Sequence, residues 1–266
     1  IVTGLLAYRT NSVKPGMVTG FLGPNGAGKS TTMRLIVGLD RASGGHVTVN
    51  GSRYADLKAP LREVGVLLDA KAVHTGRTAE NHLLALAATH GIRRKRVDEV
   101  IALTGLESVA RRRVGGFSLG MGQRLCIAAA LLGDPSILIL DEPVNGLDPE
   151  GVIWVRELTR HLASQGRTIF LSSHLMTEMA QTADHIIVLG RGRVIADAPV
   201  ATIEAMATGT AVHVRTPDAE RFAPLLTAVG ATVTHPEPGM LEVAGLAAPQ
   251  IGELAARERV VLHELS

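Results

Sequence analysis

Cysteine is almost absent from this chain of 266 residues, since Cys126 is the only one. A single thiol excludes a disulfide within the chain and is typical of proteins in a reducing compartment. The sequence also lacks a run of about 18 consecutive apolar residues, the length needed to cross a bilayer, and its first residues form no secretory signal pattern. We therefore expect a cytoplasmic protein that reaches a membrane only through a partner.

A strong charge of either sign is missing as well. Lys and Arg together number 27 and Asp and Glu 25, which gives a formal net charge of +2. This near-neutral balance does not favour nucleic acid as a partner, and we expect none. The chain length suits one large domain, or one large domain with a small second one, and it allows a substantial core.

A glycine-rich stretch is the most informative feature of the sequence. It follows an apolar run, 18–22, which we interpret as a buried strand, and it precedes the apolar start of a helix, 31–37. On such a turn, glycines allow successive backbone N–H groups to converge on phosphate oxygens. The predicted nucleotide-binding residues are Gly23, Pro24, Asn25, Gly26, Ala27, Gly28, Lys29, Ser30 and Thr31.

Three residues of this stretch have separate predicted roles. Lys29 would reach the β- and γ-phosphates, Ser30 would supply its hydroxyl to Mg²⁺, and Thr31 would cap the helix. The alternative is a tight turn with an incidental lysine. Because this spacing of Gly, Lys and Ser is uncommon by chance in a chain of this length, we favour a triphosphate-binding loop.

Two predicted buried strands end in side chains that suit the same ligand. Residues 137–140 are followed by Asp141, which would hold Mg²⁺ beside Ser30, and by Glu142, which would polarise the attacking water as general base. Alternatively, these two acids cap the next helix. A strand over 168–171 leads to His174, which would bond a γ-phosphate oxygen at the same edge, although a lone histidine in this position is often structural.

Two further features have a functional and an ordinary interpretation. Ser118 and Gly120 open a long apolar helix, which indicates either an anion-binding helix start or a common N-cap. The basic runs 93–96 and 111–113 bracket an amphipathic helix. They indicate either a solvated face or a contact with a partner or with anionic lipid headgroups.

The order and spacing of these motifs resemble those of ATP-binding cassette (ABC) ATPases, the nucleotide-binding subunits of membrane transporters, over about residues 12–200. The resemblance implies an α/β fold with a P-loop NTPase core. It implies that 23–31 is the Walker A loop, 137–141 the Walker B strand, 117–123 the signature and 146–148 the D-loop. The implied catalytic residues are Glu142, the switch histidine His174, and Lys29.

The resemblance also implies an assembly. Two cassettes pack head to tail as a homodimer, with ATP between one Walker A loop and the other's signature, so Ser118, Gly120 and Gln123 would act in trans. Asp148 would belong to the D-loop. Integral membrane permease subunits would dock near residues 70–116, inside a helical subdomain of about 70–135, and hold the chain at the inner face of the cell membrane. The implied cofactors are ATP and Mg²⁺.

Some positions depart from the family pattern. Asp69 stands where a glutamine is expected to bind Mg²⁺, and we predict that its carboxylate is a metal ligand instead. Leu119 and Met121 stand where Gly and Gln are commonest in the signature. The aromatic residue that stacks on adenine is expected before Ile1, and the spacing of Tyr8 is too short for that role.

A boundary is predicted at Gly209, between an ABC ATPase domain, 1–208, and an accessory domain, 209–266. The second part has the pattern β-α-β-β-α-β, which predicts a small α+β ferredoxin-like domain, and we expect it to be incomplete. It resembles the tail domain on ATPases of multidrug and antibiotic-resistance exporters. We therefore expect an ATPase subunit that exports drugs, antibiotics or other hydrophobic compounds. The alternatives are a soluble ABC ATPase outside transport and a nucleotide-binding regulator with weak turnover.

Overall fold

The computed structural model describes residues 2–6, 9–68, 73–208 and 211–266, in two compact units, 1–200 and 201–266. Tyr8 lies outside the described residues. In the first unit the strands are β1 Val2–Leu6, β2 Arg9–Val13, β3 Val18–Leu22, β4 Val47–Val49, β5 Val64–Leu67, β6 Ile137–Leu140, β7 Thr168–Ser173, β8 His185–Gly190 and β9 Arg193–Pro199. The helices there are α1 Lys29–Ile36, α2 Pro60–Glu63, α3 Ala79–Thr89, α4 Arg94–Leu103, α5 Leu119–Leu131, α6 Pro149–Ser164 and α7 Met176–Thr182.

A six-stranded sheet in the order β5-β6-β7-β3-β8-β9 forms the centre of the first unit. All neighbouring strands are parallel except the antiparallel pair β8 and β9. Strand β3 lies between β7 and β8, and β6 lies on the other side of β7. The glycine-rich loop, the two acids and His174 therefore all leave the sheet at the same edge, where parallel α/β sheets bind ligands.

The apolar strands are buried on both faces, as expected for a parallel sheet covered by helices. The rings of Phe21 on β3 and Phe170 on β7 have centroids 5.2 Å apart and lie in this core. Helices α3, α4 and α5 pack on one another and form the helical part of the unit. None of the described helices combines the length and the apolar character that a bilayer crossing requires.

The structure adds two strands in the first residues and corrects one predicted cap. Strands β1 and β2 pair with the register Val2↔Val13, and β4 joins them in a separate antiparallel sheet, although residues 1–17 have no clear sequence pattern and no element was assigned to them. Helix α1 begins at Lys29 with Gly28 as its N-cap residue. Thr31 therefore lies inside the first turn and does not cap the helix.

The second unit contains most of α8 Val200–Thr208 and its own sheet and core. Its other elements are β10 Val212–Arg215, α9 Ala219–Ala228, β11 Thr232–Glu237, β12 Met240–Ala244, α10 Ala248–Arg257 and β13 Glu264–Leu265. The sheet is antiparallel, in the order β11-β12-β10-β13, and α9 and α10 contribute Phe222, Leu226 and Ile251 to the core. The elements follow the predicted order, but the last strand, which was predicted over 260–264, is found at Glu264–Leu265. The ferredoxin-like assignment and the boundary at Gly209 stay predictions.

Candidate functional site

The glycine-rich loop has the backbone geometry that a phosphate-binding turn requires. Gly26 and Gly28 have φ values of 80° and 106°, in the left-handed region that side chains disfavour. A Cβ atom at Gly23 would lie 2.5 Å from the carbonyl oxygen of Leu189. Lys29 Nζ donates to the carbonyl oxygen of Gly23 at 2.6 Å, so the lysine folds back over its own loop.

A cavity of about 240 Å³ lies at the carboxyl edge of the sheet and joins this loop to the two strand ends. The loop supplies most of its lining, and Glu142, Asn145 and His174 supply the opposite side. The lining residues of the loop are Pro24, Asn25, Gly26, Gly28, Lys29, Ser30 and Thr31. The structure thus brings the predicted phosphate-binding and catalytic residues to one cavity. The sequence analysis missed Asn145.

The Glu142 carboxylate lies between two nitrogen groups. Its Oε1 is 3.2 Å from Lys29 Nζ, and its Oε2 is 3.0 Å from His174 Nδ1. The backbone of Glu142 has φ 47°, an uncommon conformation for a residue with a side chain. Its backbone N–H donates to Ser172 Oγ at 2.9 Å, which holds the residue in that conformation. A carboxylate held in this way can accept a proton from a water beside a bound phosphate.

Ser172 is a positioning residue that the sequence analysis did not identify. Its hydroxyl donates to Asp141 Oδ1 at 2.5 Å while it accepts the N–H of Glu142, so one side chain holds both acids. A small polar residue near the end of a buried strand is the only signal in the sequence, and it is a weak one. The contact joins residues on neighbouring strands and depends on the pairing of β6 with β7.

We expect Ser172→Ala to lower the rate of ATP hydrolysis about tenfold and to destabilise the fold by about 1–3 kcal/mol, because buried Asp141 loses its donor. Thr159→Val is the matched control, since the buried Thr159 hydroxyl donates to the carbonyl oxygens of Val155 and Arg156 within its own helix. Steady-state kinetics and urea unfolding of both variants measure the two effects. An unchanged rate in Ser172→Ala would contradict the assigned role.

The side chains that could hold a divalent cation are oxygen donors. Asp141 is 8% exposed, and Ser30 is exposed in the lining of the cavity. Carboxylate and hydroxyl oxygens suit Mg²⁺, which usually keeps several waters and binds substrate phosphates as well. No cluster of three or more His, Cys, Asp or Glu that could hold a metal is found among the described residues. Asp69, the third predicted ligand, lies outside them.

The signature residues line a different cavity, of about 410 Å³, which shares no lining residue with the first. Ser118 is the N-cap residue of α5 and accepts the N–H of Met121 at 3.2 Å. Asp148 caps α6 by accepting the N–H of Gly151 at 2.9 Å. Ser118, Gly120 and Asp148 all line this second cavity, on a surface separate from the phosphate loop.

Gln123, the third residue predicted to act in trans, is buried in its own chain. Its side chain is 3% exposed, and Nε2 donates to the carbonyl oxygen of Pro143 at 2.9 Å and to that of Glu142 at 3.3 Å. The amide is thus held by the backbone of its own chain, and its role in trans stays a prediction. Gln123 holds the backbone of Glu142 and Pro143, and so connects helix α5 to the segment that follows strand β6.

Leu119, a departure from the family pattern, packs against the D-loop. A Cβ atom built on Gly146 would collide with Leu119 Cδ2, and Gly146 has φ 74°. We therefore expect Gly146→Ala to be destabilising, and less so in a Leu119→Ala background, with a coupling energy of about 0.5–3 kcal/mol. Urea unfolding of the four proteins of this cycle measures it, with Gly122→Ala in α5 as control because no atom lies near its Cβ position. Additive effects would contradict the contact.

Comparison with known proteins agrees with this geometry. Residues 9–145 match the model of a family described as ABC transporter. The chain belongs to this family. Residues 210–266 match a second model, described only as a domain of unknown function, DUF8746.

Named relatives of this cassette act in antibiotic transport. The bacitracin transport ATP-binding protein BcrA of Bacillus licheniformis is 42% identical over 191 residues, which are 71% of this chain and 62% of BcrA. The lantibiotic transport ATP-binding protein SrtF of Streptococcus pyogenes is 35% identical over 184 residues, 69% of this chain and 80% of SrtF. The match spans only 62% of the length of BcrA. It spans only 61% of the length of each of two other relatives, both from Bacillus subtilis.

The fold of the cassette is also found in solved structures. A dimeric ATP-binding cassette, MJ0796, in a post-hydrolysis state with ADP and Pi, is 23% identical with a TM-score of 0.66, and the match covers 75% of this chain and 99% of the other. At that identity the likeness concerns the fold alone. The predicted P-loop ABC ATPase fold and the predicted family are confirmed.

Proposed function

We propose that the chain is the ATP-binding and ATP-hydrolysing subunit of an ABC exporter. The observation that carries the proposal is the position of the Glu142 carboxylate between Lys29 and His174, inside the cavity lined by the phosphate loop. A base, a cation and an imidazole that meet beside a phosphate-binding turn suit attack of water on a γ-phosphate. This arrangement argues against a regulator with weak turnover.

Each residue of the site has a separate proposed role in ATP hydrolysis. Backbone N–H groups of the loop and Lys29 would bind the β- and γ-phosphates, and Glu142 would take a proton from the attacking water. His174 would bond a γ-phosphate oxygen when the phosphate replaces its present contact with Glu142. Ser30 and Asp141 would hold Mg²⁺, which when bound neutralises charge on the phosphate oxygens. Asp69 remains a proposed third ligand.

The separation of the two cavities supports a head-to-tail homodimer. Ser118 and Gly120 line a cavity that shares no residue with the phosphate loop, so they would complete the site of a second copy of the chain. Such an interface has the same pair of surfaces on both protomers and gives two equivalent sites. The dimeric state of MJ0796, which has the same fold, is consistent with this assembly.

The transported compounds are proposed from the relatives. BcrA and SrtF are described as bacitracin and lantibiotic transport ATP-binding proteins, so an antibiotic or another hydrophobic compound is the proposed cargo. The proposed location is the cytoplasmic face of the cell membrane, where permease subunits would dock near residues 70–116. Residues 1–208 would form the ATPase domain and 209–266 an accessory domain.

Mg²⁺-dependent ATP hydrolysis by the purified chain, measured over a range of protein concentrations, tests the ATPase and the dimer together. We expect specific activity to rise with concentration, because a monomer carries only half of each site. Activity independent of concentration would contradict the in-trans site. Tagged chain purified from membranes of its own cells should bring a polytopic membrane protein with it, and its absence would favour a soluble ABC ATPase.

A further inference from the structure

Two basic stretches that are distant in the sequence come together at the start of helix α3. Backbone pairing joins segment 110–114 to segment 77–80, since Glu80 N–H donates to the carbonyl oxygen of Ala110 at 2.8 Å and Val114 N–H to that of Arg77 at 2.9 Å. Arg94, from the other basic run, and Arg111 both form ion pairs with the Glu80 carboxylate. We define the arginine patch as Arg77, Arg94, Arg111, Arg112 and Arg113.

The patch carries a large excess of positive charge at its surface. The Arg111 side chain is 90% exposed, whereas the Glu80 side chain that it contacts is 16% exposed. Arg77, Arg112 and Arg113 are exposed and form no ion pair within the part of the chain that the structure describes. Burial lowers the pKa of His82, and the charge of Arg77 lowers it further. Within the described residues, one inward carboxylate thus pairs with two of the five guanidinium groups.

Arg96 shows what an arginine with a structural role does in the same region. Its guanidinium is mostly covered and donates to the carbonyl oxygen of Leu131 at 2.8 Å and to Asp134 at 3.2 Å, at the end of helix α5. Among residues 9–68 and 73–208, the side chains of the arginine patch form no such contacts apart from those of Arg94 and Arg111 with Glu80. Hydrogen bonds and ion pairs that stabilise the fold therefore do not explain why the arginine patch carries exposed positive charges.

The chemistry of the patch fits an extended anionic surface. Its guanidinium groups belong to several short segments. Each guanidinium presents a planar set of N–H donors that suits phosphate oxygens. Residues 73–116 contain no Phe, Tyr or Trp, the side chains on which single-stranded nucleic acids stack. A spread of guanidinium groups over several segments suits a ligand whose phosphate groups are repeated over a plane, so that several arginines can bind phosphates at the same time. Phospholipid headgroups at a membrane surface are arranged in this way.

We propose that the arginine patch binds anionic phospholipid headgroups and orients the chain on the membrane. The inference rests on the proposed function, because a transporter subunit works at a membrane surface. The attraction adds to the contact with the permease, and it acts only within about 10 Å of the surface at 0.1 M salt. Binding to vesicles therefore weakens as salt is raised.

Flotation of the purified chain with vesicles tests the proposal. One set of vesicles is zwitterionic phosphatidylcholine alone, and the other contains about one third phosphatidylglycerol. We expect binding to the anionic vesicles only, and a loss of about a hundredfold in the triple variant Arg111→Gln, Arg112→Gln, Arg113→Gln. The control removes three exposed arginines elsewhere in the same unit, at Arg41, Arg160 and Arg193, and should bind like the wild type.

Several outcomes would overturn the proposal: equal binding to both vesicles, no binding by the wild type, or full binding by the patch variant. Patch-dependent binding to polyglutamate without binding to vesicles would assign the surface to an acidic protein instead. ATP hydrolysis by the same preparations separates this inference from the proposed function. If the chain hydrolyses ATP but does not bind vesicles, only the proposed lipid contact is contradicted. If the chain binds vesicles but does not hydrolyse ATP, the proposed ATPase function is contradicted.

Discussion

Glu142→Gln is expected to lower the rate of ATP hydrolysis about 10²–10⁴-fold while ATP still binds. The amide keeps the shape of the side chain but cannot take a proton from water. ATP binding should not weaken, because the change also releases Lys29, whose Nζ now lies 3.2 Å from Glu142 Oε1, and removes a negative charge from the place of the γ-phosphate. Steady-state hydrolysis and equilibrium ATP binding measure the two effects separately.

The same variant also tests the dimer. With hydrolysis blocked, Mg²⁺-ATP should hold two chains together, so the variant is expected to elute as a dimer with ATP and as a monomer without it. Glu157→Gln, on the exposed surface of α6, is the control for loss of a carboxylate. Monomeric elution of Glu142→Gln with saturating ATP would count against ATP bound between two chains, and full activity would count against Glu142 as the base.

The phosphate loop could be predicted because its signal lies in consecutive residues, an apolar strand followed by glycines. The strand 18–22 is found at its predicted bounds, and Gly26 and Gly28 of the loop have the backbone angles for which glycine is needed. The position of Glu142 and His174 in the cavity of that loop followed from one general rule, that parallel strands end at the same edge of a sheet. The apolar strands needed only their composition and length to be recognised.

Contacts between segments that are distant in the chain could not be predicted from the sequence. Ser172 holds Asp141 and Glu142 only because β7 lies beside β6, and Gln123 contacts Pro143, which is 20 residues away in the chain. The hairpin of β1 and β2 was missed because its strands are short and partly polar, with residues such as Thr10, Asn11 and Ser12 that give no clear alternation. The arginine patch likewise depends on a pairing that no local pattern predicts.

Lys29→Met is expected to raise the dissociation constant for Mg²⁺-ATP about tenfold to hundredfold. Methionine keeps much of the length of the side chain but removes the charge, and a hydrogen bond to a charged group is worth about 1.5–3 kcal/mol. The present contacts of Lys29 Nζ, with the Gly23 carbonyl oxygen at 2.6 Å and Glu142 at 3.2 Å, show that the ammonium reaches across the loop to the catalytic acid.

The loss should be larger for ATP than for ADP, because only ATP has the γ-phosphate that we propose to lie between Lys29 and Glu142. Calorimetric titration of both nucleotides measures the difference, with Lys58→Met, an exposed lysine away from the cavity, as control. Equal losses for the two nucleotides would place the ammonium at the β-phosphate alone. In a Glu142→Gln background the ATP loss should persist, since the lysine then has no carboxylate to neutralise and acts on phosphate only. Recovery of affinity there would show instead that the lysine serves mainly to offset the charge of Glu142.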